Sequence, residues 1–115
     1  MEFCWLYITA RDRRQGRKLG RALVEARLAA CANVIAGVES FYWWEGRLAA
    51  DNEVVVIAKT RADLVQAAVE RIKAVHSYSV PCVVALPIVA GNPDFLAWLA
   101  RETARPRAGR PPRCR

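Results

Sequence analysis

The strands that this sequence predicts are apolar on both faces, and no other feature constrains the fold as strongly. Residues 3–9 read F-C-W-L-Y-I-T, so aromatic residues occupy one face of a strand and aliphatic residues most of the other. Residues 41–44 and 80–89 are also apolar on both faces. A sheet with helices on one face and water on the other alternates apolar with polar residues. We therefore expect the second face to be covered too, most economically by another copy of the chain.

The order of the elements predicts the fold class. Four segments are rich in β-branched and aromatic residues and predict strands: residues 3–9, 34–46, 53–59 and 80–89. Amphipathic helices are expected over residues 11–30 and 60–75, and Asn92 with Pro93 begins a short third helix. The resulting β-α-β-β-α-β order with a terminal helix predicts an α+β, ferredoxin-like sandwich. Such a sandwich has a four-stranded antiparallel sheet with both helices on one face.

Shorter signals place the boundaries of these elements. Thr60 and Asp63 form a T-x-x-D pattern that predicts the start of the second helix. Residues 49–52 are expected to turn between the second and third strands, and Gly37 to form a β-bulge. Pro81 and Pro87 predict that the last strand lies at an edge of the sheet or pairs irregularly.

The positive charge of the chain is concentrated near its end. The formal net charge is +7, and residues 101–115 hold six arginines and one acidic residue, which leaves +2 for residues 1–100. Prolines and arginines with few apolar residues do not bury enough surface to fold. We therefore expect one domain over residues 1–103 and a flexible basic Pro/Arg-rich tail over residues 104–115. Any nucleic-acid binding by the basic segments is expected to be non-specific and salt-sensitive.

The remaining composition excludes several classes of protein. The four cysteines are scattered without a C-x-x-C pair, which favours free thiols in a reducing compartment. No apolar run approaches the roughly 18 residues of a membrane span. Residues 1–9 lack the basic start and the cleavage site of a signal peptide. We therefore expect a cytoplasmic protein with no membrane partner.

Four segments in register resemble the CutA family, the divalent-cation tolerance proteins. They are residues 28–59, which begin L-A-A-C-A-N-V, H-S-Y-S-V-P at residues 76–81, A-L-P-I at residues 85–88 and G-N-P-D-F-L-A-W-L at residues 91–99. The resemblance implies a homotrimer of ferredoxin-like subunits and a link to tolerance of copper and other divalent cations in bacteria. For eukaryotic relatives it implies a role in anchoring or maturing a membrane-associated esterase. It attaches no firm reaction to the family.

The resemblance also implies where a copper site would lie. Members with a proposed copper site are similar in a cysteine near the end of the first strand and a histidine pair before Pro-Tyr. Ile8 and Val75 occupy two of these three positions here, and only His76 remains. Cys82 replaces the acidic residue after the V-P motif, and it pairs with His76 if the chain turns back at Pro81. The alternative role for His76 is a hydrogen-bonded residue at the end of a helix.

A cleft between subunits is the second hypothesis. Its candidates are polar or aromatic residues within the matching segments: Trp44, Glu45, Glu53, Lys59, His76 and Tyr78. Glu53 and Lys59 lie at even spacing on one strand, so their side chains share a face and need a partner or a hydrated cavity. One possibility is a Lys–Glu lock across an interface. The other is a cleft for a small anion or metabolite, lined by Trp44 and Tyr78.

The sequence does not predict an enzyme. Ser40, Ser77 and Ser79 stand outside any G-x-S-x-G elbow, and the glycines form no phosphate-binding loop. His76 with Cys82 is the only conceivable catalytic dyad. We therefore expect a protein that acts by binding, with no firmly implied cofactor beyond copper or another divalent cation. Its alternative role is a small-molecule or protein-interaction scaffold without a specific metal site.

Overall fold

The computed structural model describes residues 2–103, and the predicted tail over residues 104–115 lies outside them. The elements are β1 (Phe3–Ala10), α1 (Arg13–Glu25), β2 (Cys31–Trp44), β3 (Arg47–Arg61), α2 (Val65–Val75), β4 (Val83–Ile88) and α3 (Pro93–Glu102). A 3₁₀ turn, Ala62–Leu64, precedes α2. The β-α-β-β-α-β order with a terminal helix is confirmed.

The four strands form one antiparallel sheet in the spatial order β2-β3-β1-β4. Strands β1 and β3 lie at the centre, and β4 lies at an edge as predicted from Pro87. A proline is tolerated there because an edge strand need not donate every backbone hydrogen bond. Helix α1 packs across β1, β2 and β3, and α2 packs beside it. The ferredoxin-like arrangement predicted from the sequence is therefore confirmed.

One face of the sheet, the inner face, carries the hydrophobic core. Leu6 and Ile8 of β1 and Val56 of β3 are fully buried there, together with Leu19 and Leu23 of α1. Complete burial of such a side chain contributes about 1.5–3 kcal/mol. This layer is therefore a major source of the stability of a single chain.

Helix α1 lies close to the sheet because it turns two glycines towards it. A Cβ atom added to Gly16 would lie 3.0 Å from Cγ1 of Val54 and 3.2 Å from Cγ1 of Val34. A Cβ atom added to Gly20 would lie 3.3 Å from the Cβ of Ala32. The two glycines, which weaken the helix locally, are explained by this close approach.

Helix α1 is shorter than predicted. Asp12 caps its start by accepting a 2.8 Å hydrogen bond from the backbone N–H of Gln15. The helix ends before Arg27, whose φ of 61° places it in the left-handed region. Glycine usually marks such a stop in a sequence, and an arginine gives no comparable signal. Cys31, the residue directly after the predicted helix, is the first residue of β2.

The turn between β2 and β3 lies at Glu45 and Gly46, so the turn predicted at residues 49–52 is wrong. Both turn residues have positive φ, 50° and 78°, as in the two-residue hairpin turns that match strand twist. Residues 49–52 belong to β3 instead, where Ala49 pairs with Tyr42. Pairing with a long aromatic partner strand overrides the weak strand propensity of these residues.

The predicted bulge at Gly37 is confirmed. The register of β2 against β3 shifts between Ile35 and Val38, and Gly37 has a φ of 83°. An extra residue in one strand of a pair leaves the alternation of the other strand intact. Glu53 and Lys59 of β3 therefore share one face of the sheet, as the sequence predicts.

Thr60 does not cap α2, so the predicted capping role is wrong. Thr60 is a buried residue of β3 that pairs with Cys4, and α2 begins without a side-chain cap. Asp63 instead binds the buried Arg61, whose Nε and Nη2 donate to its two carboxylate oxygens at 2.9 Å each. This two-pronged, charge-assisted pair is a stronger use of the carboxylate than a helix cap.

The opposite face of the sheet, the outer face, is apolar and partly exposed in the part of the chain that the structure describes. Trp5, Val84 and Leu86 are 37%, 53% and 42% exposed, and Leu86 lies directly opposite Trp5. Phe41 and Trp43 alternate with the outer-face residues of β2 and so lie on the inner-face side of the β2–β3 hairpin, where they are also largely exposed. The prediction that the helices leave the second face uncovered is thus confirmed, and what covers it stays a prediction.

Candidate functional site

A pocket of about 420 Å³ opens on the outer face, where the β2–β3 hairpin meets the loop between α2 and β4. The lining residues are Thr9, Ser40, Tyr42, Trp44 and Glu53 from the strands and Tyr78, Ser79, Val80 and Cys82 from the loop. Every second residue of a strand points to the same face, so β2 supplies three of them. The volume is in the range of pockets that bind small molecules.

A hydrogen bond between Tyr78 and Glu53 fixes the loop against the sheet. The hydroxyl of Tyr78 donates to Oε2 of Glu53 at 2.7 Å, across a separation of 25 residues in the chain. Burial raises the pKa of Tyr78, and so do this hydrogen bond and the negative charge of Glu53. The hydroxyl therefore remains protonated and continues to donate at neutral pH.

A second tyrosine–carboxylate pair lies beside the first. The hydroxyl of Tyr42 donates to Oδ2 of Asp51 on the neighbouring strand. This hydrogen bond is the main reason why the pKa of Tyr42 is raised, and the charges of Asp51 and Glu53 add to it. Tyr42 and Asp51 in turn contribute to the raised pKa of Tyr78, so the two pairs interact electrostatically.

The charge of the pocket is opposite to that of the chain. No lysine or arginine is among its lining residues, and Glu53 is the charged one. The chain as a whole carries a formal charge of +7. The small-anion cleft predicted as one alternative is therefore not supported, because the lining offers an anion a carboxylate and no cation.

His76 has a structural role at the end of α2. It is 9% exposed, its Nε2 lies 2.7 Å from the carbonyl oxygen of Thr9, and its Nδ1 accepts a 3.0 Å hydrogen bond from the backbone N–H of Tyr78. A carbonyl only accepts and a backbone N–H only donates, so these partners select the neutral tautomer with the proton on Nε2. The hydrogen-bonded alternative predicted for His76 is confirmed.

The residues present do not fit the metal site that the family resemblance implies. Both ring nitrogens of His76 are engaged, so it has no lone pair for copper or zinc unless these bonds break. Cys82 is exposed at the pocket, Ile8 is fully buried in the core, and Val75 packs against the same core. Across residues 2–103, no three His, Cys, Asp or Glu side chains are grouped to hold a metal ion. The predicted His76–Cys82 ligand pair stays a prediction, and it would require His76 to give up one of its two hydrogen bonds.

The structure brings together only part of the predicted cleft. Trp44, Glu53 and Tyr78 line one pocket. His76 does not line it but accepts a hydrogen bond from the backbone N–H of Tyr78. Glu45 is exposed in the hairpin turn and does not line the pocket.

Lys59 is separated from the other cleft candidates. It lies six residues from Glu53 along β3, or about 20 Å at the rise of a strand. Its Nζ donates to Oδ1 of Asn33 at 2.9 Å. The predicted Lys–Glu lock is therefore not formed within one chain, and between two copies it stays a prediction.

Five lining residues were not predicted from the sequence: Thr9, Ser40, Tyr42, Ser79 and Val80. For β2 a signal existed, because Tyr42 and Ser40 precede Trp44 by two and four residues and share its face. For the loop there was none, since only the hydrogen bonds of His76 and Tyr78 determine its path.

Comparison with known proteins identifies the family. Residues 4–102 match the family described as CutA1 divalent ion tolerance protein. The chain belongs to the CutA family. Protein CutA 1, chloroplastic, of Oryza sativa is 44% identical over 98 residues, which are 85% of this chain and 55% of the relative. The divalent-cation tolerance protein CutA of Thermus thermophilus is 43% identical over 96 residues, 84% of this chain and 93% of the relative.

Solved CutA structures have the same fold. The crystal structure of CutA1 from Oryza sativa has a TM-score of 0.88 at 40% identity and covers 92% of this chain and 97% of that one. The CutA1 structure from Thermus thermophilus has a TM-score of 0.85 at 42% identity, with 90% and 100% covered. The chain spans about half the length of the curated plant relatives that it matches.

Proposed function

We propose that the chain serves divalent-cation tolerance as a homotrimer that acts by binding, with the outer-face pocket as its binding site. Membership of the CutA family supports the role in cation tolerance. The observation that carries the binding site is the pocket itself. A hydrogen bond between Tyr78 and Glu53, which lie on elements far apart in the chain, holds its aromatic wall and its carboxylate in place.

The outer face supports assembly into a homotrimer. A strip of apolar side chains on β1 and β4, including Trp5, Val84 and Leu86, is about 40–50% exposed in the single chain. Contiguous exposed apolar surface of this kind marks an interaction site. In the trimer that the family resemblance implies, this apolar strip is buried between the subunits, and the helices lie on the outside of the assembly.

The contacts of the pocket support binding rather than catalysis. Cys82 is the only thiol that lines it, and a nucleophilic thiol needs a base within hydrogen-bond reach. His76, the only histidine of the chain, has Nδ1 occupied by the N–H of Tyr78 and uses Nε2 as a donor to Thr9. It has no free lone pair with which to accept the thiol proton.

A cytoplasmic location is part of the proposal, on the basis of the scattered free cysteines. None of the helices in the part of the chain that the structure describes is long and apolar enough to cross a membrane. Relatives differ in location by name: plant proteins are called chloroplastic, and the Archaeoglobus fulgidus structure is titled periplasmic.

A His76–Cys82 copper centre is the alternative to this binding site. Calorimetry combined with nitrogen-15 NMR of His76 tests for it. We expect the tautomer with the proton on Nε2, and we expect Cu(I) or Cu(II) to leave the His76 resonances unchanged. His76→Ala and Cys82→Ala should each bind copper as the wild type does, and Ser77→Ala, an exposed neighbour, is the control. Saturable copper binding that both substitutions abolish, with Ser77→Ala unaffected, would contradict the proposal and restore a His76–Cys82 centre.

A further inference from the structure

We propose that the outer-face pocket binds a small organic cation, an amine or a quaternary ammonium group, held against Trp44, Tyr42 and Tyr78 beside the carboxylate of Glu53. The inference rests on the proposed function, because it names the ligand class of the same pocket. It is carried by three independent properties of the lining: the aromatic walls, the sign of the charge and the size.

Three aromatic residues from two different elements line the pocket. Tyr42 and Trp44 come from β2, whereas Tyr78 comes from the loop that follows α2. The face of an aromatic ring carries a negative electrostatic potential that attracts cations, most strongly for tryptophan. Several aromatic rings around one pocket are the arrangement with which proteins recognise quaternary ammonium groups.

The polar groups favour the same ligand. Both tyrosine hydroxyls donate to carboxylates, Tyr78 to Glu53 and Tyr42 to Asp51, so their protons point away from an incoming cation. Glu53 supplies the negative charge at the wall, and only its Oε2 accepts a hydrogen bond from the described residues. Burial is the main cause of the raised pKa of Tyr78 and the hydrogen bond to Asp51 that of Tyr42, and the negative charge of Glu53 adds to both.

The size and the donor set exclude the simpler occupants. A volume of about 420 Å³ is far larger than a bare metal ion requires, and the lining offers one carboxylate, one thiol and several hydroxyls. Copper or zinc needs several thiolate or imidazole donors at fixed geometry. A neutral apolar ligand would leave the second carboxylate oxygen of Glu53 without a hydrogen-bond partner, which is costly in a partly desolvated site.

The experiment titrates the full chain with tetramethylammonium chloride and, separately, with tert-butanol, a neutral molecule of similar shape. Binding is followed by the NMR shift of the Trp44 indole N–H at constant ionic strength set with sodium chloride. We expect a saturable shift with a dissociation constant on the order of 1 mM for the cation. Tert-butanol should bind at least about tenfold more weakly, since it lacks the charge.

Four variants assign the interaction to its residues. Trp44→Leu and Glu53→Gln should each weaken tetramethylammonium binding by about three- to thirty-fold, the range of a single cation–π or charge contact. For Trp44→Leu, shifts of the backbone amides around Tyr78 replace the lost indole signal. Tyr78→Phe keeps the ring but loses the hydrogen bond to Glu53 that fixes the loop, and should weaken binding less than Trp44→Leu does. Glu45→Gln, which removes a carboxylate from the same hairpin outside the pocket, is the matched control and should leave the affinity unchanged.

The outcomes separate this inference from the proposed function. Equal affinity for tert-butanol, no saturable shift with tetramethylammonium, or an equal loss in Glu45→Gln would each overturn the organic-cation assignment. Unchanged tetramethylammonium binding in Glu53→Gln together with a weakened trimer would also overturn it, because Glu53 would then belong to the subunit interface. A trimer that persists without cation binding leaves the proposed assembly standing, whereas a monomer that binds the cation contradicts the assembly alone.

Discussion

The hydroxyl of Tyr78 and the carboxylate of Glu53 lie 2.7 Å apart, and this hydrogen bond joins the loop after α2 to the middle of β3. The loop also depends on His76, whose ring contacts that of Tyr78 with a centroid separation of 4.6 Å. One wall of the pocket is therefore positioned by contacts that are distant in sequence.

Tyr78→Phe should lower the free energy of unfolding by about 1 kcal/mol, because a half-buried hydrogen bond to a carboxylate is lost. Tyr42→Phe removes the corresponding bond to Asp51 in an exposed position, and we expect no measurable change. Urea denaturation of the two variants at neutral pH checks the difference. Equal losses in both variants would show that the pair on the loop has no special role.

The pH dependence follows from the raised pKa of Tyr78. In the unfolded chain a tyrosine titrates near its usual pKa of 10.0, whereas the folded protein holds this proton to higher pH. Above about pH 10 the folded state therefore binds more protons than the unfolded state, so stability falls as the pH rises. Below that pH the contribution is fully present.

Urea midpoints measured between pH 9 and 11 test this sign. The wild type should lose more stability over the interval than Tyr78→Phe, since the variant lacks the group that titrates. Absorbance at 295 nm should show Tyr42 and Tyr78 ionising above the usual range, with Tyr42→Phe and Tyr78→Phe identifying each transition. A tyrosinate signal from Tyr78 at or below pH 10 would refute the assignment.

Gly16→Ala should destabilise the protein although alanine is the better helix former. The added Cβ would lie 3.0 Å from Val54 and 3.2 Å from Val34, and such overpacking costs about 1–3 kcal/mol against a gain in helix propensity of about 1 kcal/mol. Gly20→Ala meets only Ala32 at 3.3 Å and should be nearly neutral. Thermal denaturation that ranks Gly20→Ala below Gly16→Ala would contradict this packing.

Most of the fold could be predicted from local patterns, because apolar periodicity and strand propensity determine which elements form. The boundaries that failed were decided by tertiary pairing: residues 49–52 join β3 because they face β2, and Arg27 stops α1 without a glycine. The alternation of β3 correctly placed Glu53 and Lys59 on one face.

The site could be predicted only in part. Trp44, Glu53 and Tyr78 lie together, but the sequence alone did not show that Lys59 is about 20 Å away along the strand. Nor did it show that His76 uses both ring nitrogens, because those bonds depend on the path of a loop with no regular structure. Backbone partners of this kind leave no pattern in the sequence.

The central claim is that the apolar strip of the outer face on β1 and β4 is a subunit interface, and Leu86 tests it. Leu86→Glu places a charge among half-exposed apolar residues and should dissociate the assembly, whereas Ala67→Glu on an exposed side of α2 should not. Both variants should keep the fold, since neither changed residue belongs to the core.

Sedimentation equilibrium of the wild type at micromolar concentration is the most direct measurement of this claim. We expect a single species of about 38 kDa, three times the 12.8 kDa of one chain. Leu86→Glu should sediment as a monomer and Ala67→Glu as the wild type does. A wild-type chain that remains a 12.8 kDa monomer would contradict the account.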